Sequence, residues 1–297
     1  EDADLFFVAG NNMAVSLPVL FRRICAARIK NSAKIIVVDP RRSETASVAD
    51  IHLQIKPGTD VALNNALAHI LMKEGFIHEE IVEHYTTGLR DLKEILKEYP
   101  PSRVAKITGC TEKQIIETAR IIGQAKAMLT FWFQGYNQST QAVFKNNTLH
   151  NLSLLTNNFC RPGAGPLSIT GEANTLGCRW VGTLSHLLPG MRMVTNPRHR
   201  QEVAAYWGIP AEKIQPTPGR SIIDIIDGLH TGEVRALWVI SSNPAASLPH
   251  THWVEEGLAK AEMLVVQDIF HPTETTMLAD VVLAGAQWCE KTGTLIS

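Results

Sequence analysis

The 297 residues are 45% hydrophobic and carry 28 Lys and Arg against 29 Asp and Glu, a formal charge of −1. That length buries a sizeable core in roughly two domains, and so balanced a charge gives no electrostatic case for a nucleic-acid or anionic-membrane partner. No apolar run approaches the roughly 20 residues of a membrane-spanning helix, and no leader pattern stands at the start.

Asp4 to Gly10 is a short apolar run ending in Gly10-Asn11-Asn12, and a helical period follows from about Ala14 to Lys30, with Leu17, Leu20, Phe21 and Ile24 on one face. Ala33 to Asp39 is a second buried strand, closed by Pro40-Arg41-Arg42. Strand, helix, strand in this order predicts a right-handed parallel crossover, whose ligands sit beyond the carboxyl ends of the strands. Gly10, Asn12 and Asp39 all fall there. Ala49 to Ile55 is a third strand, and Pro57-Gly58-Thr59-Asp60 opens a helix to about Glu74 with Asp60 as its N-cap. Residues 78–125 read as three or four amphipathic helices, the last opened by the capping box Thr111 to Gln114. Ala127 to Phe133 is another strand, turning at Gln134 to Gln138 into a helix from about Thr140 to Phe159.

Arg161 to Cys178 is a helix-breaking glycine run. Gly163, Gly165, Gly171 and Gly177 let backbone approach a ligand, and Ser168, Thr170, Glu172 and Asn174 supply hydrogen-bonding groups. It is not a G-x-G-x-x-G fingerprint, because the third glycine is missing after Gly163-Ala164-Gly165 and no apolar strand precedes it. A loop with a helical turn from Val181 to Leu188 is expected next, then helices at Arg198 to Trp207 and Ser221 to Leu229. Strands are expected at Ala236 to Ile240, turning at Ser241 to Pro244, at Ala261 to Val266, ending in Gln267-Asp268, and at Asp280 to Leu283.

Cys25, Cys110, Cys160, Cys178 and Cys289 are scattered, with no C-x-x-C and no histidine at ligand spacing. This argues against a zinc or iron–sulfur site made wholly within the chain. His250-Thr251-His252 is expected as an extended surface turn.

The two halves repeat. Val8 to Pro18 lies against Val239 to Pro249 without a gap, pairing Asn12 with Asn243 and Ser16-Leu17-Pro18 with Ser247-Leu248-Pro249. Val37 to Asp39, Thr45 and Ala49-Asp50 then match Val265 to Asp268, Thr275 and Ala279-Asp280. A spacing of about 230 residues is far longer than a solenoid period and indicates a duplicated domain. A turn after a parallel strand offers backbone N–H groups to a phosphate, and a carboxylate at the next strand end suits a ribose diol. Asn12 with Asp39, and Asn243 with Asp268, each describe half of a dinucleotide site, with Arg41 or Arg42 in reach of a phosphate.

At these residues the chain resembles the molybdopterin oxidoreductases of the dimethyl sulfoxide reductase type, over essentially its whole length. The marks are Asp4 to Pro18, Val37 to Arg42, Pro57 to Asp60, Gln134 to Gln138, Arg161 to Gly177, Val265 to Asp280 and Gln287 to Thr294. The resemblance implies an α/β fold of two related Rossmann-like domains with parallel sheets flanked by helices, the central two domains of such an enzyme. These are residues 1–162 and 163–297, the second incomplete at its C-terminal side. Each would hold one arm of a molybdenum bis-molybdopterin guanine dinucleotide. Residue by residue, it implies cofactor contacts at Gly10, Asn11, Asn12, Met13, Ala14, Asp39, Arg41, Gly58, Thr59, Asp60, Gln134, Gln138, Asn243, Gln267, Asp268 and Lys291. Thr170 is expected near the metal, and no metal ligand is expected in this chain. The iron–sulfur cluster, the molybdenum ligand and a final cofactor-covering domain are expected in the rest of a longer parent, of which this chain is an internal piece.

Gly135 to Gln138, Pro162 to Gly171, Leu187 to Gly190, Asn243 to Pro249 and His271 to Thr275 are most similar to nitrate reductases, particularly the assimilatory kind. That implies reduction of nitrate to nitrite by oxygen-atom abstraction at molybdenum, with a small anion as substrate, an electron-donor protein or subunit as partner, and a cytoplasmic or periplasmic parent. Formate dehydrogenases of the same superfamily carry an arginine where this chain has Thr170, and a threonine does not replace a bidentate cation. Formate dehydrogenase is the second reading. A structural subunit of a respiratory complex that kept the fold is the third, and an unrelated binder of a single nucleotide leaves the duplication unexplained.

Overall fold

The computed structural model describes residues 1–169, 172 and 174–294, and divides into two compact units, Glu1–Gly171 and Glu172–Ser297. In the first, β1 (Leu5–Ala9) and, after the exposed Lys34, β2 (Lys34–Val38) are continuous apolar runs because strands inside a parallel sheet are covered on both faces. Leu5, Phe7 and Ala9 enter one core with Leu63, Leu67 and Trp132, while Phe6 and Val8 enter another with Ile24, Val37 and Phe131. The alternation of side chains along a strand separates the two cores.

The helix expected from Ala14 to Lys30 is two helices, α1 (Met13–Ser16) and α2 (Pro18–Asn31). Pro18 has no N–H to continue α1 and sits instead in the first turn of α2. α3 (Glu44–Ser47) is capped by Ser43, whose hydroxyl accepts from Ala46 N. β3 (Ile51–Leu53) follows, then α4 (Asp60–Lys73), buried along much of its length. The expected helical block is α5 (Glu79–Tyr85), α6 (Leu89–Leu96), α7 (Pro101–Thr108) and α8 (Glu112–Gln124). The capping box of Thr111 and Gln114 opens α8 as expected.

β4 (Met128–Trp132), α9 (Gln134–Asn137), α10 (Ala142–Leu155) and β5 (Gly165–Ser168) complete the unit. The all-parallel sheet has the order β3-β2-β1-β4-β5. The helix-breaking glycine run contains a strand, β5, for which the sequence reading held no expectation. Its Gly165 and Pro166 are poor strand formers, but an edge strand tolerates both. β5 pairs with β4, so the sequence on both sides of the expected boundary after residue 162 belongs to the first unit.

In the second unit, α11 (Thr175–Trp180) lies earlier than the expected turn at Val181 to Leu188, and β6 (Leu187–Leu188) pairs antiparallel with β7 (Arg192–Met193). α12 (Pro197–Trp207) and α13 (Ile222–Thr231) match the expected helices. β8 (Ala236–Ile240), α14 (Pro244–Ser247), α15 (Thr251–Ala259), β9 (Met263–Asp268) and β10 (Val281–Ala284) follow. The strands form a parallel sheet in the order β10-β9-β8. His250 is left-handed at φ 58° and immediately precedes α15, so His252 is helical and exposed, not part of an extended segment. Among the described residues no helix is long and apolar enough to cross a membrane.

Candidate cofactor-binding site

Strand register brings the predicted residues of the first unit to one edge. Ala9 faces Val38 and Trp132, and Val38 faces Leu53, so Gly10, Asp39 and the turn starting at Phe133 all begin one step past the ends of aligned strands. Gly10 N donates to Val38 O at 2.9 Å, and Gly135 N donates to Gly10 O at 3.1 Å. Gly10 is left-handed at φ 56°, and its backbone crosses that of Gly135 with no room for a Cβ.

Asn12 is the hub of this edge. Its Oδ1 accepts from Thr45 N at 3.2 Å and Thr45 Oγ1 at 3.0 Å, and its Nδ2 donates to Glu44 Oε2 at 2.7 Å. Thr45, fully buried, accepts in turn from Ala14 N at 2.9 Å. These bonds tie the turn after β1 to α3. Asp39 is half-buried, and its Oδ1 accepts from Arg41 N at 2.8 Å.

The second unit repeats the wiring. Asn243 Oδ1 accepts from Thr275 N at 3.2 Å and Thr275 Oγ1 at 2.7 Å, and Asn243 Nδ2 donates to Glu274 Oε2 at 2.7 Å. Ala245 N donates to Thr275 Oγ1 at 3.1 Å, and Phe270 N donates to Asp268 Oδ1 at 3.1 Å. Asp50 Oδ2 and Asp280 Oδ2 accept from Ile35 N and Leu264 N at 2.8 Å and 2.7 Å. Ser241 takes the place of Gly10, left-handed at φ 51°, with its N donating to Gln267 O at 2.8 Å.

Within the first unit, Gly10 to Ala14, Asp39, Arg41 and Gln134 gather at the strand ends, with Gly58 and Thr59 on the loop after β3 and Gln138 just past α9. Gly58 is left-handed at φ 83° with open space where a Cβ would stand. Asn11 Nδ2 is a buried donor without a partner, although Asn11 Oδ1 accepts from Ser16 Oγ. In the second unit, Asn243, Gln267 and Asp268 share one edge, while Lys291 is exposed beyond a 3-10 turn that follows β10. Thr170 and Gly171 lie outside the described residues.

The position of Asp60 differs from the N-cap expectation. Thr59 is the N-cap, while Asp60 is the first helical residue, buried and paired with Lys145. Sequence reading also passed over Glu44 and Glu274. Their signal was present as the dipeptides Glu44-Thr45 and Glu274-Thr275, which fall together when the two halves are aligned.

A family model described as molybdopterin oxidoreductase matches residues 1–297. The chain belongs to the molybdopterin oxidoreductase family. It is 40% identical over 296 residues to a nitrate reductase of Synechocystis, covering 99% of this chain and 42% of that protein. It is 38% identical over 295 residues to the alpha subunit of an F420-dependent formate dehydrogenase of Methanococcus maripaludis, again 99% of this chain and 42% of the relative. The chain therefore spans about two fifths of the length of these relatives. Acetylene hydratase from Pelobacter acetylenicus shares the fold with a TM-score of 0.73 at 22% identity, over 98% of this chain and 42% of its own. Membership of the molybdopterin oxidoreductases implies a molybdenum–pterin cofactor.

The two hubs share an electrostatic signature. Glu44 is held below the usual carboxylate range by its own backbone N–H and by the Asn12 amide, and Glu274 by the Asn243 amide and then its own backbone. A lowered folded pKa contributes stability above the ordinary carboxylate range and loses it as pH falls through the folded value; at these exposed glutamates the contribution is small. Asn12→Asp reverses the sign by placing a second carboxylate against Glu44. One of the two then titrates above its unfolded value, so the deficit relative to the parent protein grows as pH rises. Melting curves of Asn12→Asp and Asn243→Asp are expected to lie closer to those of the parent at pH 4.5 than at pH 7.5. A gap that widens on acidification would refute this wiring.

Proposed function

We propose that the two units each seat one guanine-dinucleotide arm of a molybdenum bis-molybdopterin cofactor, within a longer catalytic subunit that reduces nitrate to nitrite. The duplicated hub carries this reading. The same Asn, Thr, Glu and Asp wiring at two sets of parallel strand ends supports two comparable ligands, whereas a single-nucleotide binder needs one. The donor set fits such an arm. Asn11 Nδ2 offers a buried amide donor, the turn after β1 offers backbone N–H groups, and Asp39 and Asp268 each have a carboxylate oxygen beyond the one taken by backbone to receive a ribose diol.

The cofactor, when bound, would supply the redox chemistry of nitrate reduction. The chain's own residues bind and orient it. An iron–sulfur cluster and an electron-donor protein belong to the rest of the proposed subunit, and a cytoplasmic setting accords with the assimilatory kind. Nitrate is favoured because Synechocystis and Symbiobacterium thermophilum nitrate reductases are each 40% identical to this chain. Formate oxidation is the second reading, supported by formate dehydrogenases at 38% and 39% identity. Thr170 weighs against it, since a neutral hydroxyl cannot clamp a carboxylate as an arginine does.

The full-length protein, purified without oxygen, is expected to release about two GMP per molybdenum on acid hydrolysis and to turn over nitrate faster than formate. Molybdenum and GMP both absent would leave the structural-subunit reading. Formate turnover exceeding nitrate turnover would exchange the two enzymatic ones.

A further inference from the structure

Beneath the edge just described lies a buried ion pair whose second member, Lys145, no motif signals. Lys145 on α10 is 4% exposed and Asp60 at the start of α4 is 6% exposed, with Nζ to Oδ2 at 2.7 Å. Lys145 Nζ also donates to Gly135 O at 3.2 Å, and lies 5.7 Å from the centre of the Tyr136 ring. The fully buried Tyr136 hydroxyl accepts from Asn64 Nδ2 at 3.2 Å, and Asn64 Nδ2 also donates to Thr148 Oγ1 at 2.9 Å. Thr148 Oγ1 donates to Lys145 O at 2.8 Å, closing the network between α4, α9 and α10.

Removing two charges from water is costly, and well-packed apolar side chains often replace such a pair without loss of stability. Stability alone therefore does not account for the pair, whereas its reach does. Asp60 ends the Gly58-to-Asp60 loop, Lys145 holds the carbonyl of Gly135, and Gly135 is pressed against Gly10. Burial and then the Asp60 charge push the Tyr136 hydroxyl well above its usual range, so the phenol stays neutral beside the ammonium.

We propose that Asp60 and Lys145 form a buried latch that fixes the Gln134 to Gln138 turn against the loop at Gly58 and the turn at Gly10. Asp60 is then a positioning residue, not a cofactor contact, and Lys145 is a second positioning residue. The consequence for cofactor binding rests on the function proposed above.

The test is Asp60→Asn/Lys145→Met in the full-length protein, which removes both charges together so that neither is stranded. Amide hydrogen exchange of the cofactor-free protein is read at residues 134–138, with α8 as control. The expected result is unfolding close to that of the parent protein and exchange at 134–138 at least ~10-fold faster, with α8 unchanged. Retained GMP is expected to fall about 10-fold, as for other residues that orient a binding group from behind. Exchange at 134–138 at the parent rate, or a rise shared equally by α8, would overturn the latch. A parent protein without GMP would refute the proposed function, and the exchange measurement would still decide the latch.

Discussion

Gly10→Ala is expected to lower the melting temperature of the first unit by roughly 10 °C, the equivalent of about 3 kcal/mol. A Cβ there would stand 2.9 Å from Gly135 Cα, 3.0 Å from Gly135 C and 3.1 Å from Tyr136 Cδ2, all inside contact distance. Two costs add: the left-handed conformation at φ 56° and the clash with a backbone that cannot rotate away. The second unit separates them. Ser241 holds φ 51° with a side chain present, so the conformation alone is affordable, and the crossing supplies most of the penalty. Gly135→Ala is the partner experiment, because Gly135 is not left-handed and its Cβ would lie 2.7 Å from Gly10 Cα. A comparable loss is expected from sterics alone. The double variant should lose less than the sum, since one backbone shift relieves both contacts. A melting temperature within roughly 2 °C of the parent for either single variant would contradict the close crossing.

The second large effect concerns the paired carboxylates. Asp39→Asn and Asp268→Asn keep an acceptor for the backbone N–H of Arg41 and Phe270 but remove the charge offered to a ligand. A charge-assisted hydrogen bond contributes about 1.5–3 kcal/mol, so each variant should release cofactor roughly 10- to 100-fold more readily. The two effects should be alike, because the wiring around the two positions is alike. GMP retained per chain after extensive dialysis is the measurement. Retention by both variants equal to that of the parent protein would end the two-arm reading. A loss confined to one would restrict it to that unit.

Much of this arrangement was legible in the letters. Asn12, Thr45, Asn243 and Thr275 pair correctly in an alignment of the halves because each Asn–Thr couple joins the turn after one strand to the segment after the next, at separations of 33 and 32 residues. Strands β1 and β2 were legible because burial on both faces forces unbroken apolar runs. What escaped depended on partners distant in sequence. Asp60 has the signature of an N-cap, and nothing nearby reveals that its counter-charge arrives on α10. β5 contains Gly165 and Pro166, and its pairing with β4 outweighs the local preference. α15 was hidden behind a left-handed His250, a conformation that no spacing announces.

From the strand order β3-β2-β1-β4-β5 an order of assembly is expected. β1, β2 and β3 with α3 come from one short stretch, so the Asn12 hub can close early. β4 reaches the other side of β1 after α4 to α8 have been threaded, and loop closure of that length delays the meeting of Gly10 with Gly135. In the second unit, β8, β9 and β10 are near neighbours along the chain, and the Asn243 hub waits for no such return. Two hubs that match in their final wiring are thus expected to sit in units completed on different schedules: the second from local sequence, and the first only when β4 arrives from far along the chain to bring Gly135 against Gly10.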